Sequence, residues 1–175
     1  MASGERIVFR KRASDTNGEP LEMDFFVAPN GFLAAPHVHP EQTETFRVVN
    51  GRFRVRIGVD ERTCGPGEVA EAPPNTTHAW CNPFDDEAQL VLEVRPALGT
   101  ETFLETFSGL GRDGKVNAKG RPNTLQMMVL AREYRREVAL PPPIGWIVAP
   151  IAVVLAPIGR LLGYRARYPK YSRPA

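Results

Sequence analysis

The 175-residue sequence predicts a mainly β protein, an antiparallel sandwich or barrel followed by C-terminal helices. Three observations carry that expectation. Apolar and polar residues alternate with period two between Arg6 and Val94, turn signals punctuate the same stretch, and the patterning changes to helical after Pro96. Seventeen prolines and 15 glycines favour many short strands and turns over a helical bundle. A hydrophobic content of 42% suffices for a real core.

Taken in order, Leu21, Met23 and Phe25 share one face of an early strand, with Glu22 and Asp24 on the other. After Gly51, Phe53, Val55 and Ile57 alternate with Arg52, Arg54 and Arg56. Turns are marked by Asn17-Gly18, Pro29-Asn30-Gly31, Asn50-Gly51, Gly65-Pro66-Gly67 and Pro73-Pro74-Asn75. Residues 100–110 and 124–138 read as helices joined by a polar, glycine-containing stretch. The second helix carries Leu125, Met128 and Val129 near one stripe, with Arg132, Arg135 and Arg136 toward the end that suits the helix dipole. This gives a β unit over 1–98, a helical extension over 99–140, and an apolar and basic appendage over 141–175.

A formal charge of +2 is too small to imply a nucleic-acid partner, and no helix-turn-helix is evident. The charge is unevenly spread: Arg160, Arg165, Arg167, Lys170 and Arg173 have no acid among them, so the remainder is net acidic. Two cysteines, Cys64 and Cys81, form no CxxC pair, which argues against a disulfide scaffold and fits a reducing compartment. The opening MASGERIVFRKR has no apolar signal core, so a cytoplasmic location is expected.

All three histidines fall between positions 37 and 78. His37 and His39, two apart, point to the same side of a strand, and Glu44 can return to that side after a bend at Pro40. His78 arrives from a neighbouring strand after the Pro-Pro-Asn turn. One histidine on an apolar face is ordinarily a core or surface residue. Three of them, converging with a carboxylate, point to one divalent metal ion, with Fe, Mn, Ni, Co and Zn all compatible with imidazole and carboxylate donors. Four protein ligands leave a position open for water, oxygen or substrate.

These residues also sit in two ordered motifs. Gly31–Gly51, GFLAAPHVHPEQTETFRVVNG, and Gly67–Asn82, GEVAEAPPNTTHAWCN, resemble the two motifs of the cupin superfamily, separated by a short stretch over 52–66. Asn75 stands where the family usually has glycine, and asparagine is the next best residue for a left-handed turn. The resemblance covers roughly residues 5–98. It implies the cupin double-stranded β-helix (a jelly-roll barrel), a metal held by His37, His39, Glu44 and His78, and a homodimer.

By strand phase, Phe46 and Trp80 face the interior with the ligands, joined by Met23, Phe25 and Phe53. Ordinary barrel core is the preferred reading for Phe53 and Phe25; for Trp80 both readings stand. Such a pocket suits a small hydrophobic or aromatic substrate. No nucleophile elbow and no spare histidine is present. Glu93 reads as solvent-facing or paired with Arg95 or Arg54, with an interior acid or base as the alternative. Cys81 points away from the metal. The expected function is therefore a metal-dependent cupin oxygenase acting on a small organic substrate. The alternatives are a non-catalytic metal- or ligand-binding cupin, and an isomerase or decarboxylase using the metal as Lewis acid.

The run Ile144–Gly159 carries no charge. Prolines at 143, 150 and 157 argue against one straight helix, and the run is short of the ~20 residues a span requires. Trp146 at one end, with Tyr164, Tyr168 and the basic residues at the other, resembles an interfacial anchor. Packing against the barrel or a second subunit is expected, with peripheral membrane contact over 144–170 as the alternative.

Overall fold

Alternation along the strands builds two antiparallel sheets whose apolar faces meet. The computed structural model describes residues 5–118 and 120–172, apart from the side chains of 32–34; Arg173 of the basic cluster lies outside the described residues. The strands are β1 (Arg6–Lys11), β2 (Leu21–Val27), β3 (Phe32–His37), β4 (Thr43–Asn50), β5 (Phe53–Ile57), β6 (Asp60–Cys64), β7 (Val69–Ala72), β8 (His78–Cys81) and β9 (Ala88–Arg95). Three helices follow, α1 (Thr100–Arg112), α2 (Thr124–Glu133) and α3 (Ile144–Leu161). One sheet runs β1-β2-β9-β4-β7 and the other β3-β8-β5-β6.

Every second residue of β2 and β9 points inward: Leu21, Met23, Phe25 and Val27 are buried with Ala88, Leu90, Leu92 and Val94. Phe46, Phe53, Val55 and Trp80 complete this core from the other strands. Asn17, Asn30 and Asn75 adopt left-handed backbone angles at three of the expected turns. Gly51 has φ +71°, and a Cβ there would lie 2.5 Å from the Glu87 carbonyl oxygen, so the β4–β5 turn requires glycine.

Two helical expectations are corrected. The helix expected over 124–138 stops at Glu133, because the following chain exchanges helical bonds for bonds to the β unit. Val38 and Ala139 pair through two N–H···O=C bonds of 2.9 Å, and Glu41 N–H donates to Arg136 O at 3.2 Å. Its buried residues are Gln126, Val129 and Leu130 rather than the stripe through Leu125 and Met128. Ile144–Leu161 is one continuous helix despite Pro150 and Pro157. The two prolines are seven residues apart and so share one face, the exposed one. The backbone acceptors they leave without an amide donor are therefore at the surface, where water satisfies them.

α3 packs chiefly on α2. Ala152, Ala156 and Gly159 form its buried stripe. A Cβ on Gly159 would lie 2.8 Å from Val129 Cγ2 and 3.1 Å from the Leu125 carbonyl oxygen, so this crossing needs a residue with no side chain. The tail then turns back over α1 and α2. Tyr168 O–H donates to Gln126 Oε1 (2.7 Å), Tyr134 O–H to Ala166 O (3.0 Å), and Tyr171 O–H to Asp113 (2.6 Å). Tyr168 and Tyr171 join Leu110, Leu130 and Tyr134 in a second, smaller core.

Candidate metal centre

The β3–β8 register sets His37 directly opposite His78. The chain then runs through His39 to β4, whose first inward residue is Glu44, paired in register with Val94 and Ala72. His39, Glu44 and His78 are buried and His37 is partly so. One donor atom from each of the four lies within 4.8 Å of the others, a cluster that could hold a metal ion. The His37 and His78 rings are 4.2 Å apart between centroids, and His39 is 5.0 and 5.1 Å from them.

Each imidazole is aimed by its other nitrogen. His37 Nδ1 faces the Ala35 carbonyl at 2.9 Å, His78 Nδ1 faces Thr76 O at 2.9 Å, and His39 Nδ1 faces Glu137 O. A carbonyl oxygen accepts and cannot donate, so each Nδ1 carries the proton and each Nε2 presents a lone pair inward. The His39 and His78 Nε2 atoms lie 3.3 and 2.9 Å from the same oxygen, Glu44 Oε2. Lone pairs of two imidazoles and a carboxylate thus converge on one point. Such an arrangement requires a cation between them, a proton or a metal ion. Three imidazole nitrogens and one carboxylate fit a borderline divalent metal.

Without a metal the protonation pattern reflects that convergence. Burial favours the uncharged forms, and it holds His37 down at about 4 from 6.5. For His39 and Glu44 their mutual attraction outweighs burial: His39 is raised, and the Glu44 carboxyl is held well below its usual range by the charge on His39 and the hydrogen bond between them.

Asn75 and Asn82 support the cluster. Asn75 N–H donates to His39 O (2.9 Å) and its side-chain amide to Pro40 O (3.1 Å), so the residue in the usual glycine place ties the His78 turn to the His39 segment. Asn82 is fully buried and donates to the carbonyls of Val27, Ala28 and Asp86, closing the loop below β8.

The cluster opens onto a cavity of about 280 Å³. Met23 and Trp80 line it, as does Phe25, whose ring meets Trp80 edge-on at 5.1 Å. Phe46 and Phe53, expected as pocket residues, do not. Both are fully buried behind Trp80, at 5.5 and 6.2 Å between ring centroids. Phe46 has the phase of Glu44, but two residues along a strand carry it roughly 6.6 Å from Glu44 into the core, where its ring lies edge-on to His78. The opposite wall comes from α1 through Phe103, Leu104 and Phe107. Arg12 holds α1 there by pairing with Glu101 and, at 3.0 Å, Glu105.

Three polar residues of this cavity were not anticipated, Glu5, Thr100 and Glu137, and the last of them touches the cluster. The Glu137 backbone carbonyl receives His39 Nδ1, and its Oε1 accepts from Gly99 N–H at 2.9 Å. Its Oε2 is buried and has no hydrogen-bond partner among the described residues. Nothing in the spacing marks this residue; its only trace is an acid following Arg135 and Arg136 where basic groups predominate. Glu93 is half-buried and pairs with Arg95 at 3.4 Å.

A family model described as a cupin domain matches residues 23–94. No curated protein matches the chain. Among solved structures, TT1209 from Thermus thermophilus is 22% identical with a TM-score of 0.48, over 53% of this chain and 84% of that one. KdgF from Halomonas sp. is 17% identical with a TM-score of 0.49, over 56% and 85%. A sugar phosphate isomerase of the cupin superfamily from Silicibacter pomeroyi is 20% identical with a TM-score of 0.46, over 53% and 60%.

Proposed function

We propose that the chain, whose residues 23–94 match a cupin-domain model, is a metal-dependent enzyme, an oxygenase acting on a small hydrophobic or aromatic substrate. The carrying observation is the convergence of three imidazoles and Glu44 beside a cavity walled mostly by apolar side chains. His37, His39 and His78 would hold a divalent ion through Nε2, and Glu44 through its carboxylate. When bound, such an ion supplies Lewis-acid polarisation or, if redox-active, oxygen activation.

The remaining work falls to the chain. Trp80 and Phe25 offer aromatic faces and edges to a flat apolar substrate. Phe103, Leu104 and Phe107 add apolar wall to the same cavity. At about 280 Å³ the space is at the small end of ligand pockets. Glu137 lines the same cavity with one carboxylate oxygen unpartnered among the described residues, and it would accept or return a proton at a substrate atom bound there. That oxygen favours a second reading, proton-transfer chemistry of the isomerase or decarboxylase kind with the ion as Lewis acid.

Metal analysis of protein purified without added metal tests the first step. Close to one ion per chain is expected in the wild type and none in His37→Ala/His78→Ala. A wild type that holds no ion after reconstitution would overturn the reading. Oxygen uptake by the iron-loaded protein, across a panel of small aromatic and aliphatic substrates, then separates the two chemistries. Turnover without oxygen uptake selects the second. For Glu137→Gln, metal content should stay unchanged while turnover falls about 10²- to 10⁴-fold.

A further inference from the structure

α3 is the one helix among the described residues long and apolar enough to cross a membrane by length and composition. Its small-residue stripe is in contact with α2, and more than half of its circumference faces outward. That outer face carries Trp146 (73% exposed), Ile147, Ile151, Val153, Val154 (65% exposed), Ile158 and Leu161. Only Arg160, at its edge, is charged. A continuous apolar surface of this kind marks an interaction site.

Charge identifies the partner. From Val138 to Ser172 there are four basic residues and no acid. Arg160 and Lys170 are paired with Glu133 and Asp113. Arg132, Arg135, Arg165 and Arg167 have no carboxylate partner among the described residues. An apolar face bordered by unpaired arginines, with a tryptophan near one end, complements an anionic lipid surface. Crossing the bilayer would require α3 to leave Val129 and Leu125, so the helix lies along the surface.

The surface is also connected to the metal centre. A second apolar cavity of about 330 Å³ lies between α2 and α3, floored by Met127, Leu130 and Val148, with Arg132 and Arg135 at its rim and the exposed Val153 at its mouth. It shares His37, Phe103 and Val138 with the cavity over the cluster. The two cavities therefore adjoin, with His37 at the junction.

We propose that the outer face of α3 seats on an anionic lipid bilayer, and that the groove behind it leads an apolar chain from the bilayer to the His37 side of the cluster. The substrate class is then a lipophilic molecule that partitions into membranes. The docking stands on the surface alone; the route to a reaction rests on the metal-dependent reading above.

The test uses the full-length chain and vesicles of phosphatidylcholine, alone or mixed with phosphatidylglycerol. Sedimentation with the anionic vesicles is expected. Arg132→Gln/Arg135→Gln should weaken it by about fivefold per arginine, and Ile147→Glu/Val154→Glu should abolish it. Lipids brominated near the headgroup should quench Trp146 more than lipids brominated at the chain end. For the route, Trp146→Phe leaves Trp80 as the single tryptophan, and stearic acid with a doxyl group at the chain end should quench it saturably. Ala149→Phe, which narrows the groove, should reduce that quenching.

Sedimentation that is absent, or unchanged in Ile147→Glu/Val154→Glu, would overturn the docking. So would quenching greatest at the chain end, which means a spanning helix, or a dimer in solution that the same double variant dissociates. Unquenched Trp80 would overturn the route. Metal content separates these failures from failure of the enzymatic reading: one ion per chain in a protein that ignores vesicles leaves the metal centre intact.

Discussion

The two-sheet unit and the α2–α3 pair treat their apolar residues in opposite ways. In β2 and β9 every inward residue from Leu21 to Val27 and from Ala88 to Val94 is buried, and their outward neighbours are half-exposed and mostly polar. In α3 the buried positions are the smallest, Ala152, Ala156 and Gly159, while its large residues face out. A two-faced pattern tells the chain which side is inside. A helix apolar on all sides does not, and backbone proximity at α2 selected the side that carries least bulk.

Phe46→Ala should expose this contrast most strongly. Phe46 is fully buried between Phe53 and Trp80, and its truncation should cost about 3–5 kcal/mol of unfolding free energy by chemical denaturation. A cost under about 1 kcal/mol would mean that the sheet core is loosely packed and the contrast is false.

Acid should discriminate the regions next. Residues 138–172 hold no histidine and no acid, whereas the cluster holds all three histidines. In metal-free protein His37 titrates near 4 when folded and near 6.5 when unfolded. Between those values the unfolded state binds the extra proton, so stability falls as pH drops from 6.5 toward 4. His39 is shifted upward. Its contribution is complete below its unfolded value and is lost as pH rises through its folded one. Metal-free stability should therefore peak near pH 6.5. Saturating divalent ion should remove the alkaline decline, because the ion then takes the place of the His39 proton. Denaturation at a series of pH values, with and without Zn(II), reads both limbs. At about 100 times its dissociation constant the ion should add about 2.7 kcal/mol.

Gly159→Val tests the α2–α3 crossing at a smaller scale. The added side chain meets Val129 and the Leu125 carbonyl, and overpacking of this kind costs about 1–3 kcal/mol. Because α3 packs chiefly on α2, the loss should appear as faster amide exchange and proteolysis in 141–172, with the pattern in β4, β8 and β9 unchanged. Parallel loss in the strands would show that the appendage and the sheets fold as one unit.

How much of this was legible follows the same division. The four cluster residues could be read because two motifs fix them at set distances along strands, where phase determines direction. The places of Asn75 and Asn82 could be read, but not their bonds to Pro40, Val27 and Ala28, which depend on loops meeting from distant parts of the chain. Glu137 was out of reach. It enters the cavity because Ala139 pairs with Val38 about 100 residues earlier in the sequence, a pairing that ended the expected helix early. Phe46 and Phe53 show the limit of phase: it gives the side of the sheet, not the depth along it. In α3 the prolines pointed to a break, yet both lie on the exposed face where the helix accommodates them.

Trp146→Ser should have the smallest effect, and it interrogates the outer face directly. At 73% exposure the indole makes few contacts that folding could gain, so its replacement should shift the unfolding free energy by no more than about 0.5 kcal/mol in either direction. The measurement belongs in dilute, lipid-free solution, where a bilayer cannot contribute. A loss well above 1 kcal/mol that grows with protein concentration would mean a second copy covers the indole. In that case α3 would resemble the sheets after all, with its large residues buried between two chains. Concentration independence and a near-zero change would leave the contrast standing, with an apolar face stable in water and open to a partner.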